Sequence, residues 1–469
     1  MQKDITDKSF VINIFLIFIF LITVKSYFLL KIPPQIVGDS PEYVSVIKNI
    51  SEGKGFSEIN TLNNQTEPYA RRPPIFFYAV YILNFFKDIE KNIIFLNYLS
   101  SFLIVFLSIY LSFHITKNKL IAIATGWLLS LNANILYNSL LIMSDTFFSL
   151  TVIIFILTVI YFINNPTKKL FLLTGISLGI CVLTRTVLKF YWIIFGLLIF
   201  FYFFKSEDIK KRLKYLFLFI FAYSIAIFPY HLRNYNKLNT LSIESYQGAS
   251  AMWSIMPLIK NTDYGKLYQK EMSYKEILDI LKKYDYPNLA EYEIRKKYDL
   301  TTVEYSKKLF KIAKYTIINN PVGYFKIFIK NVINNITSSS AYLKIIDFAK
   351  PGYYDKQHKI MLDLTIQKNN INLSQIKYLI PNLIFRLLNL IIFVFSLIGI
   401  IASFKKLDKR KSVFLISFLS YIIIISSLSS SYDRYKLPIE FIINFYLAYF
   451  LCNLEDIKQN LSIKLKRIS

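Results

Sequence analysis

The chain has 469 residues, 54% of them hydrophobic and 17% aromatic, with a mean hydropathy of +0.40 and a formal net charge of +26. This much apolar content, gathered in long runs, excludes an ordinary soluble globular protein. On a soluble chain the charge would point to nucleic acid, but here the cations collect between the apolar runs, as membrane topology requires. Nucleic acid is therefore set aside as a partner, and lipid headgroups and a phosphate-bearing substrate take its place.

The first apolar run, 10–30, is long enough to cross roughly 30 Å of hydrocarbon as helix. No small-residue cleavage site follows it, so it reads as a signal anchor. Further runs lie at 93–115, 119–141, 145–163, 169–186, 187–205, 213–231, 380–403, 412–430 and 435–453. Backbone groups in lipid must be satisfied within their own segment, so these runs are expected to be helices. A shorter run at 74–86 fits an interfacial or re-entrant helix. The two cysteines, Cys181 and Cys452, sit inside apolar runs and form neither a disulfide framework nor a CxxC site.

The links 117–119, 164–169, 205–214 and 405–411 are short and basic and are expected on the cytoplasmic side. They share one side only if 74–86 does not cross, which gives about ten spans with both termini inside; the basic tail KLKR fits. The expected fold is an all-α polytopic membrane protein. Residues 1–231 form an N-terminal transmembrane module with a first outer loop at 31–92. Residues 232–379 form a partly helical extracytoplasmic region, and 380–469 the last spans and the tail. Within 319–336, Phe325, Phe328, Ile329, Val332, Ile333 and Ile336 share a helical face, with Lys326, Lys330 and Asn334 off it. That pattern suits a helix on the bilayer surface or one packed on its own domain.

Residues 38–50, GDSPEYVSVIKNI, place Asp39, Glu42 and Tyr43 where the chain leaves its first span. Asp39 or Ser40 as N-cap, Pro41 in the first turn and Glu42 three residues after Asp39 make a capping box. The same spacing also holds carboxylates at the membrane surface, where they can move a proton. In YARRPPIFFYAVY (69–81), Arg71 and Arg72 precede a double proline. They either snorkel to headgroups or grip a lipid-linked phosphate. Asp145, in SLLIMSDTFFSL, is a helix cap or a second site carboxylate. Arg185 and Lys189, then Arg233 and Asn234, then Arg434, Tyr435 and Lys436 stand at outer ends of spans. Such cations are ordinary anchors singly; converging, they would form a pocket for an anion. No GxGxxG and no GxxxxGK[ST] is present, and His114, His231 and His358 have no metal spacing.

These motifs together resemble the bacterial branch of the GT-C membrane glycosyltransferases, relatives of the protein O-mannosyltransferases and of the lipid A aminoarabinose transferase. The features, in order, are GDSPEY, RRPPIFFY, MSDTF, LTR, PYHLRNY and RYKLP. The resemblance runs from about 10 to 450 and leaves 255–375 unmatched. It implies a GT-C-type fold, a polyprenyl-phosphate-linked sugar as donor and an extracytoplasmic site in the bacterial plasma membrane. The acceptor is a glycan, a lipid or a protein. Asp39 would be the catalytic carboxylate, Asp145 the second acidic position and Glu42 a helper. Tyr43 would line the site, with Tyr69 and Tyr435 beside sugar or acceptor. Arg72 and Arg434 would touch donor phosphate, with Arg71, Arg185, Arg233 and Lys436 in the same cationic pocket. This sequence has GDS where GDE is frequent, and Arg72 stands where the lipid A enzyme has an acid, which weakens the inference of a metal there. No cofactor is expected; a divalent cation is compatible but not indicated.

With a sugar on a lipid monophosphate, the leaving group is already a stable anion and the acceptor hydroxyl is the poor partner. Asp39 is expected to act as its general base, with inversion. The rival readings are an O-antigen-type polymerase or ligase using a lipid pyrophosphate, a lipid-linked sugar transporter or flippase, and a non-catalytic sugar-binding protein.

Overall fold

The structure is a computed structural model. It describes residues 6–31, 34–59, 65–69, 71–259, 262–264, 267, 273–284, 287–349, 355, 373–428, 433–455 and 457. The tail motif KLKR lies outside the described residues.

The fold is an all-α polytopic membrane fold. Among the described residues, six helices are long and apolar enough to cross a membrane: Asp7–Phe28, Ile89–Thr116, Asp145–Asn164, Ile209–Leu238, Ile376–Ser403 and Lys409–Ser427. The other four expected spans fold as shorter or interrupted helices. The run 119–141 breaks at Asn132, whose side chain caps the next turn by accepting from the backbone N–H groups of Asn134 and Ile135. Its first piece, Lys119–Ser130, has 12 residues, about 18 Å at ~1.5 Å per residue. The run 169–186 gives a 17-residue helix, Lys168–Thr184. The run 187–205 gives Tyr191–Leu198 followed by a π turn, Ile199–Phe203. The last run begins as a 3-10 helix, Asp433–Ile439, before Glu440–Cys452. The interfacial run 74–86 yields only Ile75–Ile82, too short to cross.

Among the described residues, two buried cores form. The larger runs through the spans and includes Phe155, Phe195, Phe414 and Tyr446. Small residues let its helices meet: a Cβ on Gly399 would stand 2.1 Å from the Tyr446 carbonyl oxygen. The second core lies between 249 and 313 and buries Met252, Ile277, Ile294, Tyr305 and Ile312. It is built by Gln247–Ile259, Ser273–Lys283, Pro287–Tyr298 and Thr302–Asn319, the last opening on a capping box between Thr301 and Glu304.

The helix Pro321–Thr337 turns Phe325, Ile329 and Ile333 outward and buries Asn331 and Asn335. Asn331 and Asn335 donate to Ser427, the first to its carbonyl and the second to its hydroxyl. Asn331 and Asn335 thus face the bundle, while Phe325, Ile329 and Ile333 lie exposed with Lys326 and Lys330.

Candidate active site

Three loops build the site. The first, 34–39, is pinned to the loop before Asp145–Asn164 by a parallel bridge: Gln35 N–H donates to Leu140 O at 3.1 Å, and Ile142 N–H donates to Gln35 O at 3.3 Å. Buried Asn97 holds the same second loop, donating to the carbonyls of Leu141 and Met143 at 2.8 and 2.9 Å. The third is the bend at Arg71–Arg72, which Pro73 and Pro74 force before Ile75–Ile82 begins. Tyr230 donates to the Arg72 carbonyl at 3.3 Å.

Asp39 precedes the helix Ser40–Ser51 but does not cap it. Its backbone is αR (φ −89°, ψ −5°), and its side chain makes no cap hydrogen bond. The capping box spelled by the sequence is therefore not formed. The carboxylate turns instead toward two guanidinium groups: Oδ2 lies 2.9 Å from Arg72 Nη2 and 3.6 Å from Arg434 Nη2. About a third of the Asp39 side chain, 32%, stays exposed. Burial pushes its pKa up, but Arg72, Arg434 and Arg185 outweigh that and hold it below the usual carboxylate value.

Glu42 does not reach back to the helix start either. Its Oε2 lies 3.5 Å from Arg72 Nε, and Tyr69 donates to its Oε1. Arg72 thus has an acid on each side and the Tyr43 ring beneath it, 5.3 Å from the guanidinium carbon. Burial works against its charge, and Tyr43, Glu42 and Asp39 more than compensate, leaving it firmly protonated. Tyr43 is itself buried and shares a 2.9 Å hydrogen bond with Ser144, the residue before Asp145–Asn164. Burial raises the Tyr43 and Tyr69 phenols, so neither is an acid at neutral pH.

Asp145 sits in the first turn of its helix, nearly buried, and Arg185 donates to its Oδ1. Its Oδ2 is buried with no hydrogen-bond partner among the described residues. Arg185 is brought there as the extended residue that ends Lys168–Thr184. Arg434 lies in the 3-10 turn Asp433–Ile439, with Nη1 3.8 Å from Met143 Sδ and its guanidinium over the Tyr435 ring.

The structure therefore brings Asp39, Glu42, Tyr43, Tyr69, Arg72, Asp145, Arg185, Arg434 and Tyr435 together. It places three expected phosphate ligands elsewhere. Arg71 pairs with Glu58 at 3.0 Å and Glu291 at 2.9 Å. Arg233 donates to the carbonyls of Tyr69 and Phe56, both at 2.6 Å, and so ties down the loop that carries Arg71 and Arg72. Lys436 faces Glu440 at 3.9 Å, and Glu440 also accepts from Asn132 and Asn134.

One carboxyl escaped the sequence reading. Glu244 accepts from Thr186 and is raised by burial, against the pull of Thr186, Arg72, Arg185 and Lys189. It stands in LSIESYQ, with no spacing that marks it. Among the described residues, no three His, Cys, Asp or Glu side chains converge to hold a metal. Asp39, Glu42 and Asp145 each face a guanidinium.

No protein-family model and no curated protein sequence matches this chain. Among solved structures, it is similar to the Archaeoglobus fulgidus oligosaccharyltransferase in the apo form, with a TM-score of 0.53 and 14% identity over 99% of this chain. The complex of that protein with zinc and sulfate gives 0.50, at 13% identity over 97% of this chain. The chain spans about half of the archaeal protein, 52% and 51% in the two structures. ArnT from Cupriavidus metallidurans bound to undecaprenyl phosphate aligns over 94% of this chain and 77% of its own length, at TM-score 0.38 and 11% identity. The fold is of the GT-C type.

Proposed function

We propose that the chain is a membrane-embedded glycosyltransferase that moves a sugar from a polyprenyl-phosphate donor to an acceptor hydroxyl on the extracytoplasmic side. The observation that carries this is one carboxylate, Asp39, held by two arginines at the point where the chain emerges from its first span. The archaeal protein of similar fold is an oligosaccharyltransferase, which agrees with glycosyl transfer as the reaction class.

The chemistry follows from the geometry. A lipid monophosphate is anionic and bidentate, and planar guanidinium groups match it better than ammonium groups do. Arg72 and Arg434 are the ligands proposed for it, with Arg185 as a further positive charge. Glu42 and Tyr69 position Arg72. As the donor phosphate shares the two arginines, Asp39 loses part of the field that keeps its pKa low and becomes a better base. It then takes the proton of the acceptor hydroxyl as that oxygen attacks the anomeric carbon. The bond from the anomeric carbon to the phosphate oxygen breaks, its electrons pass to the phosphate, and the preplaced arginines stabilise the departing anion. One displacement inverts the anomeric centre.

The test offers purified protein in liposomes a sugar on polyprenyl monophosphate or on polyprenyl pyrophosphate, with wild type beside Asp39→Asn. Transfer from the monophosphate by wild type and its collapse in Asp39→Asn are expected. Wild-type rates in Asp39→Asn would overturn the role of Asp39. Transfer from the pyrophosphate alone would make the protein a polymerase or ligase, and movement of the lipid-linked sugar without product would make it a transporter.

A further inference from the structure

A second polar site lies on the other side of the Arg71–Arg72 bend. A half-open cavity of about 670 Å³ is lined by the hairpin strands Ser57–Ile59 and Thr66–Pro68, the end of Ile209–Leu238 and the start of Thr302–Asn319. This volume falls within the roughly 300–1,000 Å³ of small-molecule sites. Its wall carries Glu58 and Glu67, which stand directly opposite each other across the two strands. Like charges so placed destabilise a hairpin. Here each has a cation, Arg71 for Glu58 and Arg295 for Glu67.

The chemistry of the lining selects the ligand. Glu58 and Glu67 are each paired with an arginine, and Lys237, Lys307 and Glu304 complete the charged lining, so the wall offers donors and acceptors with only a small net charge. Asn236, Asn239 and Thr302 add amide and hydroxyl groups that both donate and accept. Tyr235 adds an aromatic ring to the lining and is 54% exposed. Carboxylates, amides and a ring without a dominant charge suit a neutral polyhydroxylated ligand, whose hydroxyl pairs need acceptors and donors and whose C–H faces lie on an aromatic plane.

We infer that this cavity binds a neutral glycan, the part of an acceptor chain remote from its reacting hydroxyl. Its place supports that use: Arg71 faces the cavity wall and Arg72 faces Asp39, so adjacent residues join the two sites. The acceptor role rests on the glycosyltransferase reading; the binding itself does not.

The experiment uses the full chain in nanodiscs. Binding of short neutral oligosaccharides, and of the same glycans carrying a phosphate, is followed by saturation-transfer NMR and calorimetry. The main variant is Tyr235→Ala combined with Asn239→Gly. Both side chains are exposed, and glycine keeps the left-handed backbone of Asn239 (φ 50°). Neutral glycan binding is expected in wild type, at least about tenfold weaker in the double variant, and unchanged in Asp39→Asn. Matching thermal unfolding of double variant and wild type shows that the fold is kept. A wild type that binds no neutral glycan, a double variant that binds as tightly as wild type, or binding of the phosphorylated glycans alone through Lys237 and Lys307 would each overturn the inference. Glycan binding together with full transfer activity in Asp39→Asn would overturn the proposed chemistry and leave the cavity assignment standing.

Discussion

Arg71 and Arg72 are neighbours in the chain and serve opposite acids: Arg72 Nη2 lies 2.9 Å from Asp39 Oδ2, and Arg71 Nε lies 3.0 Å from Glu58 Oε2. The same substitution at each should therefore fail differently. Above pH 7, where Glu58 is ionised, Arg71→Met leaves Glu58 without its cation and Glu291 with only Arg295 at 3.4 Å, and these side chains are only 13% and 10% exposed. A stability loss of about 1–3 kcal/mol is expected, below the ~3–5 of fully buried pairs because Arg71 is 20% exposed. It is read by thermal unfolding in detergent. Arg72→Lys keeps the charge but loses the planar fork, so stability holds while transfer falls roughly 10²-fold. Equal unfolding temperatures for Arg71→Met and wild type would show that the ion cluster is dispensable.

Asp39→Asn is expected to lower transfer by roughly 10²–10⁴-fold. Donor binding should not weaken, because losing the anion frees Arg72 and Arg434 for phosphate. The pH profiles separate this role from a structural one. In the free protein the arginines hold Asp39 below the ordinary carboxylate value, so the acid limb of kcat/KM lies at low pH. With donor phosphate bound, their charge is shared and the limb of kcat moves up. Superimposed acid limbs would show that Asp39 does not sense the donor.

Much of this site is legible in the chain. Asp39, Arg72, Asp145, Arg185 and Arg434 stand in short motifs at ends of apolar runs, and the run lengths alone bring those ends near one surface. What the sequence cannot reveal is direction. Arg71 and Arg72 are equivalent in RRPP, and only the bend sends them apart. Asp39-x-x-Glu42 has the spacing of a capping box, but the αR backbone at Asp39 aims both carboxylates at Arg72. Arg233 binds the carbonyls of Phe56 and Tyr69, which carry no residue signature. The opposition of Glu58 and Glu67 depends on two three-residue strands, too short for a period-two pattern. The Lys436–Glu440 spacing was readable as an i,i+4 helical pair, and it takes that lysine out of the phosphate pocket.

Glu58 gives a pH signature to stability. Burial, with help from Glu42 and Glu67, pushes its carboxyl up to about 7 against the pull of Arg71 and Arg295. The folded chain therefore holds a proton that the unfolded chain releases near ~4.3. Between those values the folded state binds more protons, so this group's contribution falls as pH rises through that window. The unfolding temperature of wild type should decline more steeply from about pH 5 to 7 than that of Glu58→Gln, which stays uncharged throughout. Parallel profiles would mean that Glu58 is ionised across the range.

Gly248 lies where Gln247–Ile259 packs closely on Thr302–Asn319. Its N–H donates to Ser306 Oγ at 2.9 Å, and an added Cβ would stand 1.8 Å from the Ser306 carbonyl oxygen and 2.7 Å from the Phe310 nitrogen. These atoms are backbone of a regular helix and cannot swing aside, so Gln247–Ile259 must move away from Thr302–Asn319. Overpacking of this kind costs about 1–3 kcal/mol. The loss should fall on the second core, which buries Met252 and Leu309, and not on the span core. Gly248→Ala is therefore expected to speed proteolysis between 247 and 319, while Asp39, Arg72 and Arg434 still bind polyprenyl phosphate with wild-type affinity. If donor affinity fell with the proteolytic protection, the second core would be part of the phosphate site's support, and the division between the two cores would not hold.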